Sequence, residues 1–68
     1  MKLFDIVATL QDIPAAHLAQ GQVGTIVEAL SAKIVLVEFA DLDGVAYAIE
    51  PIPIAHLIEL HHAPAIAA

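Results

Sequence analysis

Apolar residues recur at every second position through most of this chain, the period of strands that bury one face. Residues 5–10 read as a first strand, with Ile6, Ala8 and Leu10 on one face and Asp5, Val7 and Thr9 on the other. The stretch 11–22 then holds Asp12, Pro14, His17 and Gly21. Proline lacks an N–H donor and breaks ladders, so the pattern predicts a long loop whose Ile13 and Leu18 fold back onto the core. A single helical turn is expected at 15–19. Residues 23–30 and 33–40 form the next two strands, and Leu30-Ser31-Ala32 between them is short enough for a hairpin. In the third strand Val35, Val37 and Phe39 line one face, while Ile34 and Leu36 lie on the other.

Asp41-Leu42-Asp43-Gly44 is the sharpest turn signal, because Asp and Gly tolerate the positive φ of tight hairpins. A fourth strand is expected at 45–50. The sequence Pro51-Ile52-Pro53-Ile54 is expected to interrupt pairing and cross one end of the domain, followed by a 3₁₀ turn at Ala55-His56 and a closing strand at 57–60. Residues 61–68 lack alternation and contain Pro64, which marks a C-terminal tail. Five short strands, a long first loop and a turn before the last strand predict an all-β fold, a small five-stranded SH3-like barrel over residues 1–60.

Two glycines three residues apart precede a β-branched run in Gly21-Gln22-Val23-Gly24-Thr25-Ile26-Val27-Glu28. Glycine suits a turn that needs positive φ or a place where another backbone comes close. Gly21 and Gly24, like Asp43 and Gly44, are therefore expected to be structural. Together with Phe4-Asp5-Ile6-Val7-Ala8, Asp12-Ile13-Pro14, Leu18, Val37-Glu38-Phe39, Asp43-Gly44 and Leu57, this motif resembles a family of short bacterial proteins, frequent in cyanobacteria, known only as a domain of unknown function. The likeness runs from about Leu3 to Leu60 and implies a small SH3-like barrel. It implies no active site. Gly21 to Val27 alone also resembles the KOW modules of ribosomal and transcription proteins, which surround the motif with cations.

Composition changes the picture of what surrounds this barrel. Hydrophobic residues make up 60% of 68 residues, against about 45–50% in ordinary soluble domains. So small a chain has proportionally more surface and should be more polar than average. No stretch supplies the ~20 apolar residues of a membrane span, and Asp5 and Asp12 interrupt any signal-peptide core. Self-association, most simply as a dimer, or burial against a protein partner is the expected resolution. Ile34, Leu36, Tyr47, Ile52 and Ile54 are the candidate interface residues, because the barrel interior cannot absorb all of them. The net charge of −6, with Lys2 and Lys33 the only Lys or Arg residues, argues against nucleic acid, whose binding requires several cations to displace counterions. An anionic membrane surface is disfavoured in the same way. Cysteine is absent, so neither disulfides nor thiolate sites arise, and a cytoplasmic location is expected.

Candidate chemistry is sparse. Asp41, Asp43 and Gly44 resemble the start of a calcium loop, but no glutamate stands at the distance that would complete it. His17, His56, His61 and His62 lack the spacing of a zinc site. Glu28, Glu38, Glu50 and Glu59 would need a cleft to act as an acid–base pair, and a five-stranded barrel of this size has a filled interior. Ser31, Thr9 and Thr25 stand beside no evident base. The expectation is a non-enzymatic interaction or self-assembly module without metal or cofactor, regulatory or antitoxin-like in setting. The alternatives are a KOW-like nucleic-acid-binding barrel and an accessory barrel packed on a metalloenzyme, as in the β-subunits of nitrile hydratase.

Overall fold

Strands form where the apolar residues alternate, and the computed structural model describes residues 1–40 and 45–60. They are β1 (Ile6–Thr9), β2 (Val23–Ala29), β3 (Ile34–Ala40), β4 (Ala46–Pro53) and β5 (Leu57–Glu59), with 3₁₀ turns at Pro14–Ala16 and Ile54–His56. One antiparallel sheet contains all five in the order β4-β3-β2-β1-β5. The all-β, five-stranded expectation holds. Among the described residues no ladder joins β4 to β5, the two ends of the sheet. The turn at 41–44, with Asp43 and Gly44, and the tail at 61–68 lie outside the described residues, as does the side chain of Tyr47.

Alternation decides which side chains meet. Val35, Val37 and Phe39 of β3 point inward and join Val7, Leu18, Ile26, Ile52 and Leu57 in one core. On β1 the buried face is that of Val7 and Thr9, which leaves Ile6, and Leu10 just past the strand, outside. In β2 a register shift between Ile26 and Glu28 places Glu28 opposite Leu36. Such a bulge adds one residue to one strand and increases its twist. It was not legible in a sequence that reads as an uninterrupted strand.

The prolines correct one expectation. Pro51 and Pro53 do not interrupt β4 but lie within it, paired with Leu36 and Ile34 of β3. The reason is position and phase. β4 is an edge strand, and the Ile54 N–H donates to the Lys33 carbonyl at 2.8 Å. Alternate residues of an antiparallel strand bond to the same side, so positions 51 and 53 turn their nitrogens away from β3. Neither proline removes a ladder bond, and both deny a foreign strand its donors along this edge.

The loop before β2 folds back as expected. Ile13 and Leu18 exchange backbone bonds of 2.8 and 3.1 Å across the turn at Pro14–Ala16, and Leu18 is buried. The turn starts one residue earlier than alanine content alone predicts, because the fixed φ of Pro14 suits a first helical position. Thr9 ties this loop to β1: its buried hydroxyl donates to the Ala19 carbonyl at 2.9 Å and accepts from the Gln22 N–H at 3.0 Å. Thr9→Val keeps the shape but leaves the Gln22 N–H and the Ala19 carbonyl only their own 3.3 Å bond to each other, so urea melts should show a loss of about 1 kcal/mol. Thr9→Ser, which keeps the hydroxyl, should recover most of it.

Candidate functional site

The two motif glycines serve different needs. Gly21 has φ of 82°, and a Cβ there would meet nothing within 4 Å. It is a conformational glycine, its N–H donating to the Thr9 carbonyl at 2.8 Å. Gly24 lies buried in β2, and a Cβ there would stand 2.6 Å from Val37 Cγ1 and 2.8 and 2.9 Å from the Phe39 ring. What comes close is therefore a pair of core side chains rather than a crossing backbone. The motif packs the core.

Among the described residues the charged and nucleophilic side chains do not converge. Asp5 is the exception: its carboxyl is held below the usual carboxylate range, first by a side-chain hydrogen bond with Glu59 and then by the Lys2 backbone N–H at 2.9 Å. Glu28 and Glu38 stand on the outside of β2 and β3. The His56 ring has the Gln11 amide 3.5 Å from its Nδ1, and His17 ends the first 3₁₀ turn with φ of 57°. Among the described residues no three His, Asp or Glu side chains are grouped as a metal would require, and no cleft opens. The Thr9 hydroxyl is already engaged with Ala19 and Gln22.

The candidate interface residues separate. Ile52 is 1% exposed and belongs to the core, so it is withdrawn from any partner. Alternation explains this, since Ile52 pairs with inward-facing Val35 once β4 continues through the prolines. Ile54 is half-buried against the core. Leu36 is half-buried on the outer side of β3, and Ile34 is 38% exposed.

A larger apolar surface lies elsewhere. Ile6 of β1, Leu10 just after that strand, Val23 of β2, and Ile58 and Leu60 at β5 are between 40% and 49% exposed. Ala8 pairs with Val23 on one side and Ile58 on the other, while Leu60 donates its N–H to the Ile6 carbonyl at 2.8 Å. These residues therefore share one face of three adjacent strands. Leu3 and Phe4 lead into that end of β1, and Phe4 is 74% exposed in a left-handed conformation, φ 68°. Such a conformation is unusual for a bulky residue. Its N–H is nonetheless used, donating to the Ile26 carbonyl at 2.7 Å. The sequence placed Ile6, Ala8 and Leu10 together, but could not tell that this more apolar face would be the outer one.

A family model described as a domain of unknown function (DUF4926) matches residues 3–59. No curated protein and no solved structure matches the chain.

Proposed function

The chain belongs to the DUF4926 family, and with that as premise we propose that it is a non-enzymatic module that works by association with protein, in the first place with itself. On this reading its five-stranded sheet serves to present surfaces rather than to enclose a site. One observation carries this reading: among the described residues, twelve large hydrophobic side chains are exposed, more than the core contains. Isolated exposed aliphatics are ordinary, but contiguous ones mark interaction surfaces. The charge of −6 directs that association toward protein and away from polyanions.

Light scattering of the purified chain across micromolar concentrations tests the reading, alongside capture of the tagged chain from its native cell at endogenous level. A mass above one chain, or a stoichiometric protein partner, is expected. A strictly monomeric chain that captures only nucleic acid, released by salt, would overturn it.

A further inference from the structure

The outer face of β1 combines shape and charge in a way that singles out its occupant. Along the chain it runs Ile6 and Ala8 of β1 and then Leu10 just past its end, where the Leu10 N–H donates to the His56 carbonyl at 2.8 Å, and across the sheet it runs Ile58, Ala8, Val23. In both directions a small residue lies between two branched ones. Ala8 is only 8% exposed although alternation turns it away from inward-facing Val7 and Thr9, so its larger neighbours on the outer face stand around it. The face is thus a ring of knobs about one hole. Same-face neighbours on paired strands lie close enough for their side chains to touch, which makes the ring continuous.

Charge narrows the choice further. None of the six residues Ile6, Ala8, Leu10, Val23, Ile58 and Leu60 is charged, and Ile6 is paired on its β2 side with Thr25. The outer side of β3 differs: Glu28 is paired with Leu36, and Glu38 lies two residues farther along the same strand. A cationic partner would be drawn to those carboxylates and would find nothing to pair with on β1. Two copies of an acidic chain, conversely, meet at least electrostatic cost where neither presents a carboxylate. Area agrees. Five half-exposed aliphatic side chains with Leu3 and Phe4 beside them offer on the order of 500 Å² of apolar surface, close to the apolar share of a standard interface of ~800 Å² per partner.

We propose that a second copy of this chain docks on the outer face of β1, related by a two-fold axis, with a branched side chain of each copy seated over Ala8 of the other. A patch carrying both knob and hole is complementary to itself, as an isologous contact requires. Pro51 and Pro53 hinder strand addition along that part of the β4 edge, and β5 at the other edge is only three residues long, so both edges favour face-to-face contact over strand addition. This inference rests on the self-association reading above and locates its surface.

The test compares light-scattering masses of the wild type, Ala8→Leu, Ile58→Lys and Ile34→Lys at the same micromolar concentrations, with circular dichroism to report folding. The wild type and Ile34→Lys should have the mass of two chains, and Ala8→Leu and Ile58→Lys that of one. Ala8→Leu is the discriminating variant, because it fills the hole while adding apolar surface and would strengthen mere stickiness. A monomeric wild type overturns both this inference and self-association. A wild-type dimer that survives Ala8→Leu and Ile58→Lys overturns the surface alone. Should those variants not fold, Ala8→Cys supplies the only cysteine of the chain. Its reaction with a maleimide should slow at least several-fold as concentration rises through dimer formation, and a rate independent of concentration would overturn the contact.

Discussion

Gly24→Val is expected to leave the domain largely unfolded at ambient temperature. Two effects favour the substitution: valine prefers strands by up to ~1 kcal/mol, and replacing glycine restricts the unfolded chain, worth about 0.4–1 kcal/mol. Contact distances oppose it. Carbon atoms attract best at ~3.5–4.0 Å, whereas the first atom of a side chain at Gly24 would lie 2.6 Å from Val37 Cγ1. Neither Val37 nor Phe39 can retreat, since both are 0% exposed within the core. Even Gly24→Ala should therefore cost about 1–3 kcal/mol from overpacking. The two further methyl groups of valine press on the same atoms, against a total stability of only ~5 kcal/mol. Thermal melts should show Gly24→Ala lowered by roughly 4–8 °C per kcal/mol lost, and Gly24→Val without a cooperative transition. An unchanged midpoint for either would mean that the close approach of Phe39 to β2 is wrong. Gly21→Ala offers a contrast, because it meets no atom within 4 Å and is strained only by its φ of 82°. Its cost is that of a left-handed residue, ~1–2 kcal/mol.

Phe39→Ala should be as damaging for the opposite reason. Among the described residues Phe39 is the largest of the fully buried side chains, and its ring lies over Gly24. Removing it takes away the transfer energy of the ring and leaves a void, together about 3–5 kcal/mol. The core of eight side chains among the described residues has few neighbours that could relax into the space. Urea unfolding should show either loss of the transition or a midpoint close to zero. Phe39→Leu keeps most of the volume and should cost less. It also vacates the region that a Cβ at position 24 would enter, so the pair Gly24→Ala with Phe39→Leu should be less damaging than the sum of the single changes. A coupling of ~1 kcal/mol is the expected size for residues in direct contact. Strict additivity would show that the two positions do not meet.

Strand existence was legible in the residues because a period of two is a local property. The order Val35-Leu36-Val37-Glu38-Phe39 alternates in any environment, and proline at position 14 starts a turn whatever surrounds it. The same local chemistry pointed to Leu18 and Ile13 as loop residues that return to the core, and to Gly21 as a turn glycine with φ of 82°. The acidic balance, read from composition alone, already set polyanions apart from the expected partners. Three matters depended on which strands neighbour which. Pro51 and Pro53 are compatible with β4 only because that strand is at an edge with its odd-numbered nitrogens outward, and the same phase draws Ile52 into the core and out of any interface. Gly24 is required by the Val37 and Phe39 side chains of the adjacent strand, a contact that no count along the chain anticipates. The candidate surface moved from Ile34 and Leu36 to the outside of β1. Alternation assigns residues to two faces, but only the packed sheet determines which of the two meets the core, and here Val7 and Thr9 took the inside and left Ile6 and Leu10 to the surface.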